Sequence, residues 1–103
     1  MTDLVQQLAN EIAVRPNQIE AAIKLIDDGA SVPFIARYRK EVTQGLDDTQ
    51  LRQLDTRLSY LRDLFERREK VIESLTEQNK LSDDLLARVN AAETKNALEE
   101  IYA

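Results

Sequence analysis

Apolar positions along the chain recur at spacings of three and four, the period of one face of an α-helix. Leu4, Val5, Leu8, Ala9 and Ile12 share such a face and predict a first helix over about Asp3 to Ala13. Thr2 or Asp3 is placed to cap the free amides of its first turn. Pro16 is tolerated in a first turn but not in a helix interior, so it ends this helix or opens the next. The second helix is predicted over about Pro16 to Asp28, where Ile19, Ala22, Ile23 and Ile26 repeat the spacing. Gly29 stands where a helix takes a left-handed residue after its last turn. Asp27 and Asp28 face the negative end of the helix dipole, where carboxylates are unfavourable; nothing in the sequence compensates them.

The third segment is short. Ser31 is the candidate N-cap, Pro33 fits a first turn, and Val32 to Lys40 reads as a helix of some two turns. Its apolar members are Phe34, Ile35 and Tyr38, with Arg37, Arg39 and Lys40 between and after them. Helix, four-residue turn and short helix form the outline of a helix-turn-helix. Thr43 to Leu46 is a turn around Gly45, and Asp47 is a strong N-cap candidate for the next helix.

From Asp48 to about Gln78 the chain has no glycine and no proline. Leu51, Leu54, Leu58, Leu61, Phe65, Arg68, Ile72 and Leu75 form a heptad seam with one arginine in it. A helix of roughly 30 residues spans about 45 Å and would act as a spine. Asp63 with Arg67, and Glu66 with Lys70, are acid-before-base pairs at i, i+4. The spine is expected to fray near Asn79-Lys80. Ser82 caps a further helix carrying Leu85, Leu86 and Val89, with Asp83 and Asp84 favourably placed in its first turn. Thr94 caps the last, with Leu98, Ile101 and Tyr102. The pattern is interrupted at Ala103 without a C-cap glycine, as expected of a segment cut from a longer chain.

These elements predict an all-α, multihelical fold in one structural unit. Residues 1–46 hold the helix-turn-helix-like N-terminal helices. Residues 47–103 hold the long central helix and the short helices after it. Composition agrees: 103 residues can form one modest core, and two glycines and two prolines are too few for a many-turned β-sandwich or a phosphate-cradling loop. Histidine and cysteine are both absent. Their absence excludes imidazole or thiolate metal sites, disulfides, Ser-His-Asp or Cys-His chemistry and a histidine pH switch. No enzyme activity, metal or cofactor is expected.

Charge narrows the partners. The net charge is −5, which as a whole repels nucleic acid and anionic membranes. Only the stretch 37–70 is net positive; the stretches on either side are acidic. No apolar run could cross a membrane, and Met1-Thr2-Asp3-Leu4 lacks the basic and apolar regions of a signal peptide. A cytoplasmic location fits.

Three features carry rival readings. The segment from Val32 to Glu41 could present a recognition helix in which Arg37, Tyr38, Arg39 and Lys40 contact phosphates or bases, or another domain. The structural alternative puts Phe34, Ile35 and Tyr38 in the core, with the basic residues in salt bridges or water; the surrounding acidity favours it. The acidic pairs Asp27-Asp28, Asp47-Asp48 and Asp83-Asp84 could suggest metal or acid–base chemistry, but two of them start helices, where carboxylates cap amides. The seam could dimerise as a coiled coil, or form the inner face of a helical domain. Leu64 and Val71 widen the stripe and favour the second, while Arg68 in the seam calls for a partner carboxylate or an exposed helix end there.

The run VPFIARYRKEVTQGLDDTQLRQLDTRLSYLRDLFERREKVIESL resembles the N-terminal region of the bacterial transcription accessory protein Tex family. RPNQIEAAIKLIDDGAS before it and LARVNAAETKNALEEIYA after it match the same region in order, so the resemblance covers essentially the whole chain. Its most specific part is Phe34 to Glu41 followed by Leu46-Asp47-Asp48. One departure is visible: the family usually has glycine after the threonine of its K-E-x-T turn, and here Gln44 takes that place with Gly45 next. The change bears on the turn, not on the fold.

The resemblance implies the N-terminal scaffold of a much longer, nucleic-acid-binding regulator of transcription. Its remaining parts would be a nuclease-like domain, helix-hairpin-helix elements and an S1 domain, an OB-fold suited to single-stranded nucleic acid. The implied partners are those remaining domains, RNA or DNA through the full-length protein, and the transcription machinery. The alternatives from the residues are a helix-turn-helix DNA-binding module and a protein-interaction or dimerisation module.

Overall fold

The structure is a computed structural model that describes residues 2–102, and of Thr2 and Asp3 the backbone alone. The cap expected of Thr2 or Asp3 and the chain end at Ala103 lie outside what is described. Among the described residues there are seven helices and no strand: α1 (Thr2–Ile12), α2 (Pro16–Asp27), α3 (Val32–Tyr38), α4 (Lys40–Thr43), α5 (Asp48–Glu77), α6 (Asp83–Ala91) and α7 (Lys95–Tyr102). The fold is all-α, as the periodicity predicts.

Four helix ends are closed in the same way. Ala13, Gly29, Gln44 and Asn79 have φ of 63°, 99°, 57° and 56°. In each case the next amide donates to a carbonyl five residues back: Val14 to Ala9, Ala30 to Leu25, Gly45 to Lys40 and Lys80 to Leu75. This is the six-to-one bond of a Schellman motif, which satisfies carbonyls the helix leaves free. Gly29 therefore takes its expected left-handed place. Asn79 corrects an expectation: the spine does not fray there but is closed by an ordered cap.

Two compact units divide the chain, Met1–Tyr60 and Leu61–Ala103. In the first, α1 packs on α2, and α2 on α3 and α4. Leu4, Leu8, Ile19, Ala22, Ile23, Ile35, Leu46, Leu51, Leu54 and Leu58 are buried. The predicted third helix is shorter than expected. It ends at Tyr38, and Arg39 (φ −130°, ψ 29°) interrupts it before the single turn of α4. The break lets Thr43 be fully buried, where its Oγ1 accepts the Leu46 amide at 3.3 Å. Asp47 caps α5 as predicted: its Oδ1 accepts the Gln50 amide at 2.7 Å, and Gln50 Oε1 accepts the Asp47 amide at 2.9 Å. That reciprocal pair is a capping box. Arg57 forks onto Glu11, with Nε and Nη2 at 2.7 and 3.0 Å from the two carboxylate oxygens.

In the second unit the core is Leu61, Leu64, Val71, Leu75, Val89, Ala92 and Leu98. Here the seam differs from its prediction. Phe65 and Ile72 are only partly buried, and Leu64 and Val71 take the inner positions instead. An α-helix turns once per 3.6 residues, so a strict heptad stripe drifts by about 20° per repeat unless the helix supercoils. The inward line thus passes from Leu61 to Leu64 and Val71. Arg68 lies against a buried helix end instead of an exposed one or a carboxylate: its Nη2 donates to the Ala92 carbonyl, at the C-cap of α6, at 2.7 Å, and its guanidinium lies 5.1 Å over the Phe65 ring.

The expected pairing of Asp63 with Arg67 does not form. Arg67 forks onto Glu99 of α7 at 2.5 and 3.0 Å, and Asp63 meets Lys95 at 3.3 Å. A two-pronged bond to a neighbouring helix matches the guanidinium fork better than a monodentate i, i+4 contact. Glu66 and Lys70 do pair, at 3.6 Å. Ser82 and Thr94 cap α6 and α7 as predicted, accepting the Leu85 and Ala97 amides at 3.1 and 3.0 Å.

Candidate functional site

Helices α3 and α4 hold the most distinctive surface of the first unit. Ser31 Oγ accepts the Phe34 amide at 3.3 Å and starts α3, with Pro33 in its first turn. One face of α3 turns Ile35 into the core, where it is fully buried. Phe34, Tyr38 and Val42 point the other way. They are 40%, 56% and 42% exposed, the exposed large apolar side chains among the described residues. The reading that placed Phe34 and Tyr38 in the core is therefore corrected: a two-turn helix can bury only one side, and Ile35 takes it.

The aromatic pair is ordered. The Phe34 and Tyr38 ring centroids lie 5.3 Å apart at an interplanar angle of 49°. Arg39 Cζ lies 5.0 Å from the Phe34 centroid, and Arg39 Nη1 donates to the Tyr38 carbonyl at 3.0 Å. Pro33, Phe34, Arg37, Tyr38 and Asp48 line an open groove beside this pair. At its edge Asp48 pairs with Arg52 at 3.0 Å.

The four residues singled out in the sequence thus lie together but do different things. Arg37, Tyr38 and Lys40 are exposed. Arg39 is half-buried and committed to the Phe34 ring and its own helix end. Phe34 and Val42 belong to the surface and were missed as site residues. A signal was available for Phe34: it stands four residues before Tyr38 and one residue off the Ile35 side, on the unburied face of α3. Chemically this is a cation-flanked apolar ridge. It can bury apolar area and pair with carboxylates or phosphates.

Behind the ridge, α4 is locked to α2. Gln18 is buried, and its Nε2 donates to the carbonyls of Thr43 and Gln44, each at 3.2 Å. Arg15 Nη2 also donates to Gln44 Oε1. In the same unit, the Arg57 guanidinium on Glu11 is the chief reason that carboxyl titrates below its ordinary range, against a smaller opposing effect of burial. Among the described residues no group of acidic side chains is gathered to hold a metal ion. No helix among them is long and apolar enough to cross a membrane.

Comparison with known proteins gives a consistent family. The model of the Tex-like protein N-terminal domain matches residues 2–76. The Escherichia coli protein YhgF is 59% identical over 95 residues, covering 92% of this chain and 12% of its own length. The transcriptional accessory protein Tex of Neisseria gonorrhoeae is 59% identical over 100 residues, 97% of this chain and 13% of its own. The human S1 RNA-binding domain-containing protein 1 is 32% identical over 101 residues, 98% of this chain and 10% of its own. The chain thus spans roughly an eighth of the length of the first two relatives.

Proposed function

The chain belongs to the Tex-like protein family, whose N-terminal domain it matches, and we propose that it is the helical scaffold of a cytoplasmic transcription accessory protein. In this reading the chain does no catalysis. It positions the remaining domains of the same protein, and binding of RNA or DNA takes place chiefly on them. Contact with the transcription machinery is made by the whole protein.

The observation that carries this reading is the state of the basic cluster. Nucleic-acid affinity depends on a positive face that releases counterions. Of the three clustered cations, Arg39 keeps its charge but is half-buried, with its guanidinium over Phe34 and one nitrogen on the Tyr38 carbonyl. Only Arg37 and Lys40 of the three stand free, close in sequence to Glu41, Asp47 and Asp48. Two cations among carboxylates are a poor track for a phosphate backbone.

A second reading is a helix-turn-helix that contacts DNA through Arg37, Tyr38, Arg39 and Lys40. The exposure of Arg37 in α3 and Lys40 at the start of α4 favours it. Titrating labelled single-stranded RNA and duplex DNA into the 103-residue chain and into a full-length Tex-like protein separates the two. The scaffold reading expects binding by the long protein and almost none by the chain alone. Tight binding by the chain, abolished by replacing the three basic residues, installs the helix-turn-helix reading instead.

A further inference from the structure

We propose that the ridge of Phe34, Tyr38 and Val42, flanked by Arg37 and Lys40, receives an amphipathic helix from the downstream part of the same Tex-like protein, one that carries aliphatic anchors and carboxylates. The inference rests on the scaffold reading and names the surface and the chemistry of the contact.

The spacing of the ridge defines the shape of its occupant. Phe34 and Tyr38 stand four residues apart in α3, a rise of about 6 Å along its axis, and Val42 follows in α4 past the break at Arg39. An exposed apolar pair one helical turn apart, with a third apolar side chain just beyond it, fits the anchors at i, i+3 and i+4 of a facing helix. Large apolar groups are not exposed elsewhere among the described residues, so the three together are a concentrated patch.

Charge defines the occupant's polar groups. Arg37 and Lys40 are exposed on the helices that carry the ridge and make no ion pair among the described residues, whereas Arg52 and Arg57 are each matched by a carboxylate. A helix bearing two or three carboxylates beside its apolar stripe would complete them.

A nucleic acid fits less well. Base stacking needs an open aromatic face, but the Arg39 guanidinium lies over the Phe34 ring and the Tyr38 ring is tilted against it. The occupant belongs to the same protein because related chains extend for about seven times the matched length, and the apolar ridge lies on the part they share.

The test uses amide hydrogen exchange on two proteins. One is the 103-residue chain. The other is gonococcal Tex with this chain in place of its matching stretch. Docking should slow exchange over residues 34–43 by about tenfold in the long protein relative to the short one. The double substitution Arg37→Glu and Lys40→Glu should restore the faster rate. Both side chains are exposed, so the melting temperature of the short chain should be unchanged, which separates lost docking from lost folding.

Equal exchange over 34–43 in the two proteins, with slowing elsewhere on the chain, overturns the ridge while the scaffold reading stands. No slowing anywhere overturns both. Slowing that survives the charge reversal overturns the carboxylate-bearing occupant. Slowing that appears only when RNA is added makes nucleic acid the occupant and likewise overturns the proposal.

Discussion

Gln18 and Thr43 are joined across 25 positions of sequence by a hydrogen bond from Gln18 Nε2 to the Thr43 carbonyl, 3.2 Å long. The same nitrogen reaches the Gln44 carbonyl, while Gln18 Oε1 accepts the Arg15 amide at 3.0 Å. One buried amide thus closes the start of α2 and holds the end of α4, the turn behind the exposed ridge. Replacing it by a shape-similar apolar group would strand these partners without water.

Gln18→Leu is therefore expected to cost about 1–3 kcal/mol, the usual penalty for leaving buried polar groups unmet. Urea unfolding of the variant checks it. A loss under about 0.5 kcal/mol would mean that water reaches the two carbonyls.

The left-handed caps give substitutions of opposite sign. Ala13 and Gln44 hold a positive φ that glycine adopts freely. Ala13→Gly should stabilise by several tenths of a kcal/mol to about 1 kcal/mol. Gly29→Val should destabilise by roughly 1–2 kcal/mol from backbone strain, because nothing lies within 4 Å of an added Cβ. Thermal melts of the two variants should shift in opposite directions; shifts of the same sign would refute the caps.

The buried line of α5 ranks its leucines. Leu61→Ala should cost about 2–5 kcal/mol, as for other fully buried leucines. Leu64→Ala should cost more than Phe65→Ala, although phenylalanine is the larger side chain, because Leu64 is buried and Phe65 is not. Denaturant midpoints with unchanged slopes test the order. The reverse order would restore the strict heptad seam.

The sequence and the structure agree wherever a local rule suffices. Ser31, Asp47, Ser82 and Thr94 cap their helices because a short polar side chain has one good use there. Gly29 is legible for a different local reason, because glycine takes a left-handed backbone without strain. The features that were not legible depended on neighbours. Asn79 and Ala13 take left-handed caps because the carbonyls of Leu75 and Ala9 need an amide partner, whichever residue is at hand.

Arg67 leaves Asp63 because α7 brings Glu99 into reach. Ile35 is buried at the expense of Phe34 and Tyr38 only once α3 lies on the core. The basic cluster was found by its composition, yet the division of labour between Arg39 and its neighbours required the Phe34 ring. Val42 was not legible because it lies in α4, past a break at Arg39 that no local rule predicts.

Glu11 supplies a pH dependence with a definite sign. Its pKa is lowered in the folded chain, chiefly by the hydrogen bonds from Arg57. A depressed carboxyl contributes stability that is fully present above its unfolded pKa and is lost as pH falls through the folded one. The pair is partly exposed, so its share is about 0.2–1 kcal/mol. Glu11→Gln should therefore cost that much at neutral pH and almost nothing at strongly acid pH, below both pKa values. A variant equally destabilised at both would mean that Glu11 acts through packing and not through charge.

The last expectation concerns nucleic acid and comes from counting usable cations. The slope of log affinity against log salt is about −0.9 for each phosphate neutralised on duplex DNA. Arg37, Arg39 and Lys40 together would give a slope near −3 at most. Arg39 is half-buried, with one nitrogen on the Tyr38 carbonyl, so that slope is an upper limit. Asp48 and Glu41 offset part of even that attraction. The 103-residue chain should thus bind duplex DNA and single-stranded RNA very weakly at physiological salt, while a long Tex-like protein binds well. Charge reversal of Arg37 and Lys40 in the long protein should lower its affinity only slightly. Fluorescence anisotropy at two salt concentrations measures both the affinity and the slope. Micromolar binding by the short chain with a slope steeper than about −3 would demand cations beyond this cluster, and the scaffold reading would fall with it.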